Sequence, residues 1–125
     1  MADFYRCAHC GSTVYFLNNS GVPVQCCGEA MGKLEPNTTD AAGEKHVPVV
    51  TVSGQSVHVA VGSVAHPMLP EHHIAWIALE TDKGLQLKHL SAGEAPEADF
   101  ALLPGEKAVA AYEYCNLHGL WSATV

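Results

Sequence analysis

Ala108-Val109-Ala110-Ala111-Tyr112-Glu113-Tyr114-Cys115-Asn116-Leu117-His118-Gly119 is the stretch on which the reading of this chain turns. Its first part, Ala108–Tyr114, reads as a β-strand. A thiol and an imidazole follow, three positions apart, and both can turn toward one metal if the backbone bends between them. Asn116 tolerates such a bend and Gly119 loosens the exit. One Cys-x-x-His does not define a site; the alternative is a buried Cys beside an unrelated His. The case for a metal must come from upstream.

Upstream, the chain reads as further short strands. Val47–Val52 is β-branched, Ser56–Val61 alternates, Ile74–Glu80 is a third run, and Leu85–Leu90 places Leu on one face. Phe100–Leu103 and Leu120–Val125 complete the set, with Ser53-Gly54-Gln55, Asp82-Lys83-Gly84 and Pro104-Gly105 as turns. No stretch holds a 3.6-residue period over three turns. Seven short strands in about 80 residues predict an antiparallel β-sandwich of immunoglobulin-like size. The Cys–Trp–Cys pattern of antibody domains is absent, so only the architecture is implied. His46 opens the first strand, His66 precedes Pro67, His72 lies just before the Ile74 strand, and His118 lies past the last long one. Loops at one end of a sandwich can gather such strand ends. Four imidazoles and the Cys115 thiolate could then surround one ion.

The N-terminal segment has a different chemistry. Cys7-Ala8-His9-Cys10-Gly11 is a metal knuckle, and Cys26-Cys27-Gly28 follows it. Thr13–Leu17 reads as a strand, Asn18–Gly21 as a turn and Val22–Gln25 as the returning strand, a hairpin that would bring the two pairs together. Neighbouring side chains on extended backbone point apart, so Cys26 and Cys27 need a distorted turn to reach one ion. Two disulfides do not suit a reducing cytoplasm, whereas a tetrahedral four-sulfur site suits Zn or Fe equally by softness and geometry. A segment of about 35 residues does not fold on a hydrophobic core alone, so a metal staple is expected. Glu35–Gly43 reads as a linker of turn formers and small residues.

Composition bounds the function. The chain has 125 residues, 48% hydrophobic and only 15% charged, with a net charge of −7. That balance argues against nucleic acid and against an acidic membrane surface, which both call for basic patches. No apolar run reaches about 18 residues, and Met1–Arg6 does not start a secretory signal, so the expected location is cytoplasmic. Five cysteines do not make a closed disulfide framework, and eight histidines ask for an explanation.

Taken together, these motifs resemble the superoxide reductase family in its two-iron form, desulfoferrodoxin. Glu44-Lys45-His46-Val47-Pro48-Val49 resembles that family's first signature, Gly62-Ser63-Val64-Ala65-His66-Pro67-Met68 its second, Glu71-His72 its third, and Tyr114-Cys115-Asn116-Leu117-His118-Gly119 its last. The N-terminal Cys7, Cys10, Cys26 and Cys27 resemble the desulforedoxin-like module that precedes the reductase domain. The resemblance implies a four-Cys iron module over residues 1–36 and a reductase β-sandwich over residues 37–125. It also implies a second iron held by His46, His66, His72 and His118 in a plane, with Cys115 on the axis and the sixth position open. His73 stands where the family often has an aromatic residue, and the spacing favours His72 as the ligand. Homodimers and a rubredoxin-like electron donor are further implications, as is Fe at both sites, with Zn an option at the four-Cys one.

The chemistry of superoxide fits these residue types. Four neutral imidazoles and one thiolate leave ferrous iron with a net charge of +1, which attracts an anion. An axial thiolate donates electron density toward the opposite position, as in thiolate-ligated haem. The overall charge is unfavourable, so a positive spot is needed within a Debye length of about 8–10 Å. Lys45 is the candidate, and Glu44 is the candidate ligand for ferric iron. Competing readings are weaker. A blue-copper carrier wants an axial Met soon after the last His, and Gly119–Val125 has none. A zinc-stapled binding module, or an electron carrier using only the four-sulfur iron, leaves Cys115 and the strand-end histidines without purpose. A dismutase is the rival within the same chemistry.

Overall fold

In a computed structural model that describes residues 2–125, the N-terminal strands pair differently from the expected hairpin. β1 (Phe4–Arg6) pairs antiparallel with β2 (Thr13–Tyr15); β3 (Gln25–Cys26) turns into β4 (Glu29–Ala30), and β5 (Gly32–Lys33) returns to the other edge of β1. The hairpin expected between Thr13–Leu17 and Val22–Gln25 does not form. Leu17 and Val22 are 93% and 70% exposed, so this pairing would bury little. Pro23 in addition has no N–H to offer a ladder. Phe4 is buried instead and anchors β1 as the central strand of the small sheet. These strands belong to one of two compact units, Met1–Glu35; the other is Pro36–Val125.

The second unit opens with a single helical turn, α1 (Gly43–His46), closed by the Val47 amide donating to the Gly43 carbonyl at 2.9 Å. His46 therefore ends a helical turn instead of opening a strand. Seven strands follow: β6 (Pro48–Ser53), β7 (Ser56–Val61), β8 (Ile74–Thr81), β9 (Gly84–His89), β10 (Glu97–Ala101), β11 (Ala108–Cys115) and β12 (Gly119–Thr124). They form two antiparallel sheets, ordered β10-β7-β6 and β12-β11-β8-β9, an all-β sandwich with the small Cys-rich module before it. Alternation sets the register. Val57, Val59 and Val61 of β7 face inward against a core that includes Ile77, Leu79, Phe100, Ala111 and Cys115. Each such valine contributes about 1.5–3 kcal/mol, and a slip of one residue would put His58 and Ala60 inside in their place.

The stretch before α1 is less free than a linker. Asn37, at φ 63°, donates its main-chain N–H to the Leu120 carbonyl at 3.1 Å. Its carboxamide accepts from the Ser122 amide at 2.9 Å and donates to the Ser122 carbonyl at 3.1 Å. A left-handed Asn can thus act as a one-residue strand along the β12 edge. The pairings Pro48–Val61, Ile74–Cys115 and Cys115–Gly119 bring the starts of β6, β8 and β12 and the ends of β7 and β11 to one end of the sandwich.

Candidate metal centres

The ligand atoms of His46, His66, His72, Cys115 and His118 all lie within 4.8 Å of one another at that end. α1 supplies His46, the β7–β8 connection supplies His66 and His72, and the β11–β12 hairpin supplies Cys115 and His118. The hairpin has three loop residues followed by Gly119 at φ +78°, a left-handed position that suits glycine and returns the chain to β12.

The four rings form a closed square. Neighbouring centroids are 4.7 Å apart for His46–His66, 4.6 Å for His66–His72, 5.1 Å for His72–His118 and 4.9 Å for His118–His46. Each ring stands edge-on to the next at 78–84°. Cys115 Sγ is 3.4 Å from His66 Nε2 and 3.7 Å from His118 Nδ1, and the residue is part of the buried core cluster. The amides of Leu117 and His118 point at this sulfur, while burial pushes its thiol above the ordinary value. Trp121 stacks on the His46 ring at 4.9 Å and donates its indole N–H to the His118 carbonyl at 3.1 Å.

Hydrogen bonding tests whether these residues fit a metal. His46 Nδ1 is 2.7 Å from the Ala42 carbonyl, and His66 Nδ1 is 2.7 Å from the Pro67 carbonyl. A carbonyl only accepts, so both Nδ1 atoms carry the proton and both Nε2 atoms are bare lone pairs. Those lone pairs face each other at 3.2 Å, and no hydrogen bond can join them. His46 Nε2 lies 3.1 Å from His118 Nδ1, and His72 Nε2 is buried with no hydrogen-bond partner. Two nitrogens ~2.1 Å from one ion, at right angles, are ~3 Å apart. The arrangement is costly for a proton network and matches shared ligation of a cation. Burial also keeps the imidazoles neutral, the ligating form: it lowers His46 and His72 and takes His66 down to about 4.

Cys7, Cys10, Cys26 and Cys27 form a second cluster, again with all four sulfurs within 4.8 Å of one another. Cys27 at φ 52° and Gly28 at φ 79° are the two central residues of the β3–β4 turn. Both left-handed, they form a type I′ turn. This is the distortion that lets two adjacent cysteines face one point. Cys10 and Cys26 sulfurs are 3.6 Å apart, close to the ~3.8 Å edge of a tetrahedron with ~2.3 Å metal–sulfur bonds. The Ser12 hydroxyl, 3.2 Å from Cys10 Sγ, holds that thiol down at about 6, while its bond with Cys10 pushes Cys26 up. The cysteines are unpaired.

Glu44 and Lys45 are exposed on α1 beside His46 and lie outside the five-residue cluster. The Glu44 carbonyl accepts from the Val64 amide at 2.9 Å and from the Ser63 hydroxyl at 3.2 Å. Lys45 is near enough for its charge to help lower His72. Of the other histidines, His73 donates from Nδ1 to the Leu69 carbonyl at 3.0 Å, His9 pairs with Glu29 at 3.1 Å, and His58 with Asp99 at 2.7 Å. The sequence reading passed over Glu113. It is fully buried, its two carboxylate oxygens have no hydrogen-bond partner, and burial pushes it up to about 9. The signal was the strand alternation, which puts Glu113 on the same inward face as Ala111 and Cys115.

Comparison with known proteins bears on both clusters. Residues 38–124 match the family model described as Desulfoferrodoxin. The chain is 47% identical over 121 residues to a desulfoferrodoxin of Syntrophotalea carbinolica, covering 97% of this chain and 94% of that one. It is 46% identical to the desulfoferrodoxin of Nitratidesulfovibrio vulgaris, with the same coverage. The crystal structure of the superoxide reductase from Treponema pallidum superposes with a TM-score of 0.84 at 46% identity, over 99% of both chains.

Proposed function

Because this chain belongs to the desulfoferrodoxin family and is an oxidoreductase acting on superoxide, we propose that it is a reductase, delivering one electron to each superoxide to give hydrogen peroxide. The cluster of four cysteines and the cluster of four histidines with one cysteine match the two-iron arrangement of that family. We assign residues 1–36 to the four-sulfur iron module, with Cys7, Cys10, Cys26 and Cys27 as ligands, and residues 37–125 to the reductase domain, with His46, His66, His72, His118 and Cys115 as ligands. The observation that carries this reading is the square of rings closed over one buried thiol, with unprotonated nitrogens turned toward a common point.

Iron held by His46, His66, His72, His118 and Cys115 would supply the electron. The protein does the rest. The His46 and His66 rings are held in the ligating tautomer by the Ala42 and Pro67 carbonyls. Burial raises the Cys115 thiol, the Leu117 and His118 amides aimed at its sulfur oppose that rise, and iron bound there would hold the residue as its thiolate. Lys45 concentrates the anion locally against the charge of −7. Glu44, a hard carboxylate two residues before His46, would be available as a further ligand to iron in its oxidised state. Two protons come from solvent. A small rubredoxin-like protein returns the electron, the chain works as a homodimer, and the unpaired cysteines suit a reducing cytoplasm.

Stoichiometry tests the reaction. Reductase chemistry gives one peroxide for every superoxide consumed, with no dioxygen, and oxidises the reduced protein. Dismutation gives one peroxide and one dioxygen for two superoxides and leaves the protein's redox state unchanged; that result would replace the proposal.

A further inference from the structure

Three hydrogen bonds from one side chain and one main-chain amide join the Cys115–His118 hairpin to the segment that carries His72. Asn116 Oδ1 accepts from the His73 amide at 2.9 Å, Asn116 Nδ2 donates to the Glu71 carbonyl at 3.0 Å, and the Asn116 amide donates to the His73 carbonyl at 3.2 Å. The backbone is thus gripped on both sides of His72 by the residue peptide-bonded to Cys115. The register explains why a side chain is needed. β8 and β11 pair regularly from Glu80–Ala110 to Trp76–Tyr114, then slip by one residue, so that Cys115 faces Ile74. A slip leaves main-chain groups without their regular partners. The Asn116 carboxamide, with a donor and an acceptor on one edge, takes the place of a strand residue there. Asp has no donor for the Glu71 carbonyl, and Ala has neither group.

The other buried rings are steered directly, His46 and His66 through Nδ1 to the Ala42 and Pro67 carbonyls. His72 presents Nε2 as a buried atom with no partner, and the pair of hydrogen bonds between His72 and Leu69 shapes its turn without tying it to the hairpin. We propose that Asn116 is the positioning residue that fixes His72 relative to the Cys115 sulfur. It touches neither substrate nor metal and acts through the backbone of Glu71 and His73. The inference rests on the reading of the five-residue cluster as an iron centre.

The test uses the full two-iron chain and the variants Asn116→Ala and Asn116→Asp. Two quantities are read: the rate at which a chelator removes iron from the five-residue centre, and the energy of its sulfur-to-iron absorption band. The four-sulfur absorption serves as an internal reference. Asn116→Ala should lose that iron about 10-fold faster or more, with the sulfur band shifted and the four-sulfur bands unchanged. Asn116→Asp keeps the acceptor for the His73 amide and should fall between Ala and the native chain. A native rate and a native band in Asn116→Ala would overturn the proposal; if that variant does not fold, the same result in Asn116→Asp would. A native chain that holds iron only in the four-sulfur cluster would remove the premise and the proposal together.

Discussion

Gly62→Ala is the substitution for which the structure gives the clearest magnitude. A Cβ on Gly62 would lie 2.7 Å from the Glu44 carbonyl oxygen and 3.1 Å from both the Lys45 carbonyl carbon and the Val47 carbonyl oxygen. All three are backbone atoms of the turn that carries Glu44, Lys45 and His46, so no flexible side chain can yield. Ordinary contact begins at 3.4 Å, which requires the turn to withdraw by about 0.7 Å. That retreat pulls against the Val64 amide and Ser63 hydroxyl that hold the Glu44 carbonyl. Overpacking of this kind costs about 1–3 kcal/mol, or about 5–15 °C in melting temperature for a unit of this size. The displaced residues are those placed at the reaction. Since a shift of about 1 Å can cost ~100-fold, the superoxide rate should fall about tenfold or more. Thermal unfolding followed by Trp fluorescence, iron retention, and fast mixing with superoxide measure the three effects. Native values in all three would show that the β7 end does not set the His46 turn.

Other substitutions separate the roles of individual residues. Lys45→Ala should keep its iron but react with superoxide about tenfold more slowly or worse, and its rate should depend less steeply on ionic strength than that of the native chain; unchanged rate and salt dependence would remove Lys45 from the account. Cys115→Ser should abolish iron binding at the five-residue centre or slow turnover there while the four-sulfur absorption survives, and full turnover with the hydroxyl in place would refute the role of the thiolate. Glu113 is held at about 9 against an ordinary 4.5. Its folded state therefore keeps a proton that the unfolded state loses, so stability is complete below the ordinary value and drains away as pH rises toward 9. Glu113→Gln should flatten that decline, with an advantage over the native chain of the order of 5 kcal/mol by pH 8 in denaturant titrations. Parallel pH profiles for the two proteins would mean the carboxyl is ionised or solvated after all.

The sandwich was legible because its strands carry period-two alternation between marked turns, and Ser56–Val61 keeps the same limits in sequence and structure. That His46, His66, His72, Cys115 and His118 come together was legible because they flank the strands, and one end of a sandwich collects such positions. Three features escaped for physical reasons. The N-terminal strands are two or three residues long, too short for any periodicity, and their pairing is decided by the burial of Phe4. The turn Gly43–His46 is one helical turn, which cannot display a 3.6-residue period. Asn37 and Asn116 act through side-chain amides bonded to distant backbone, a contact that depends on the finished sheet. The local bend at Cys26-Cys27-Gly28 could be anticipated, since two adjacent cysteines reach one point only through a turn with left-handed residues.

Metal analysis of the purified full chain combined with its optical spectrum bears most directly on the five-residue centre. The expected result is close to two irons per chain, one for each cluster, with ferric tetrathiolate bands and a separate sulfur-to-iron band that disappears on reduction and in Cys115→Ser. A chain with metal at the four cysteines alone, and a Cys115 thiol in the folded protein with no sulfur-to-iron band, would contradict it.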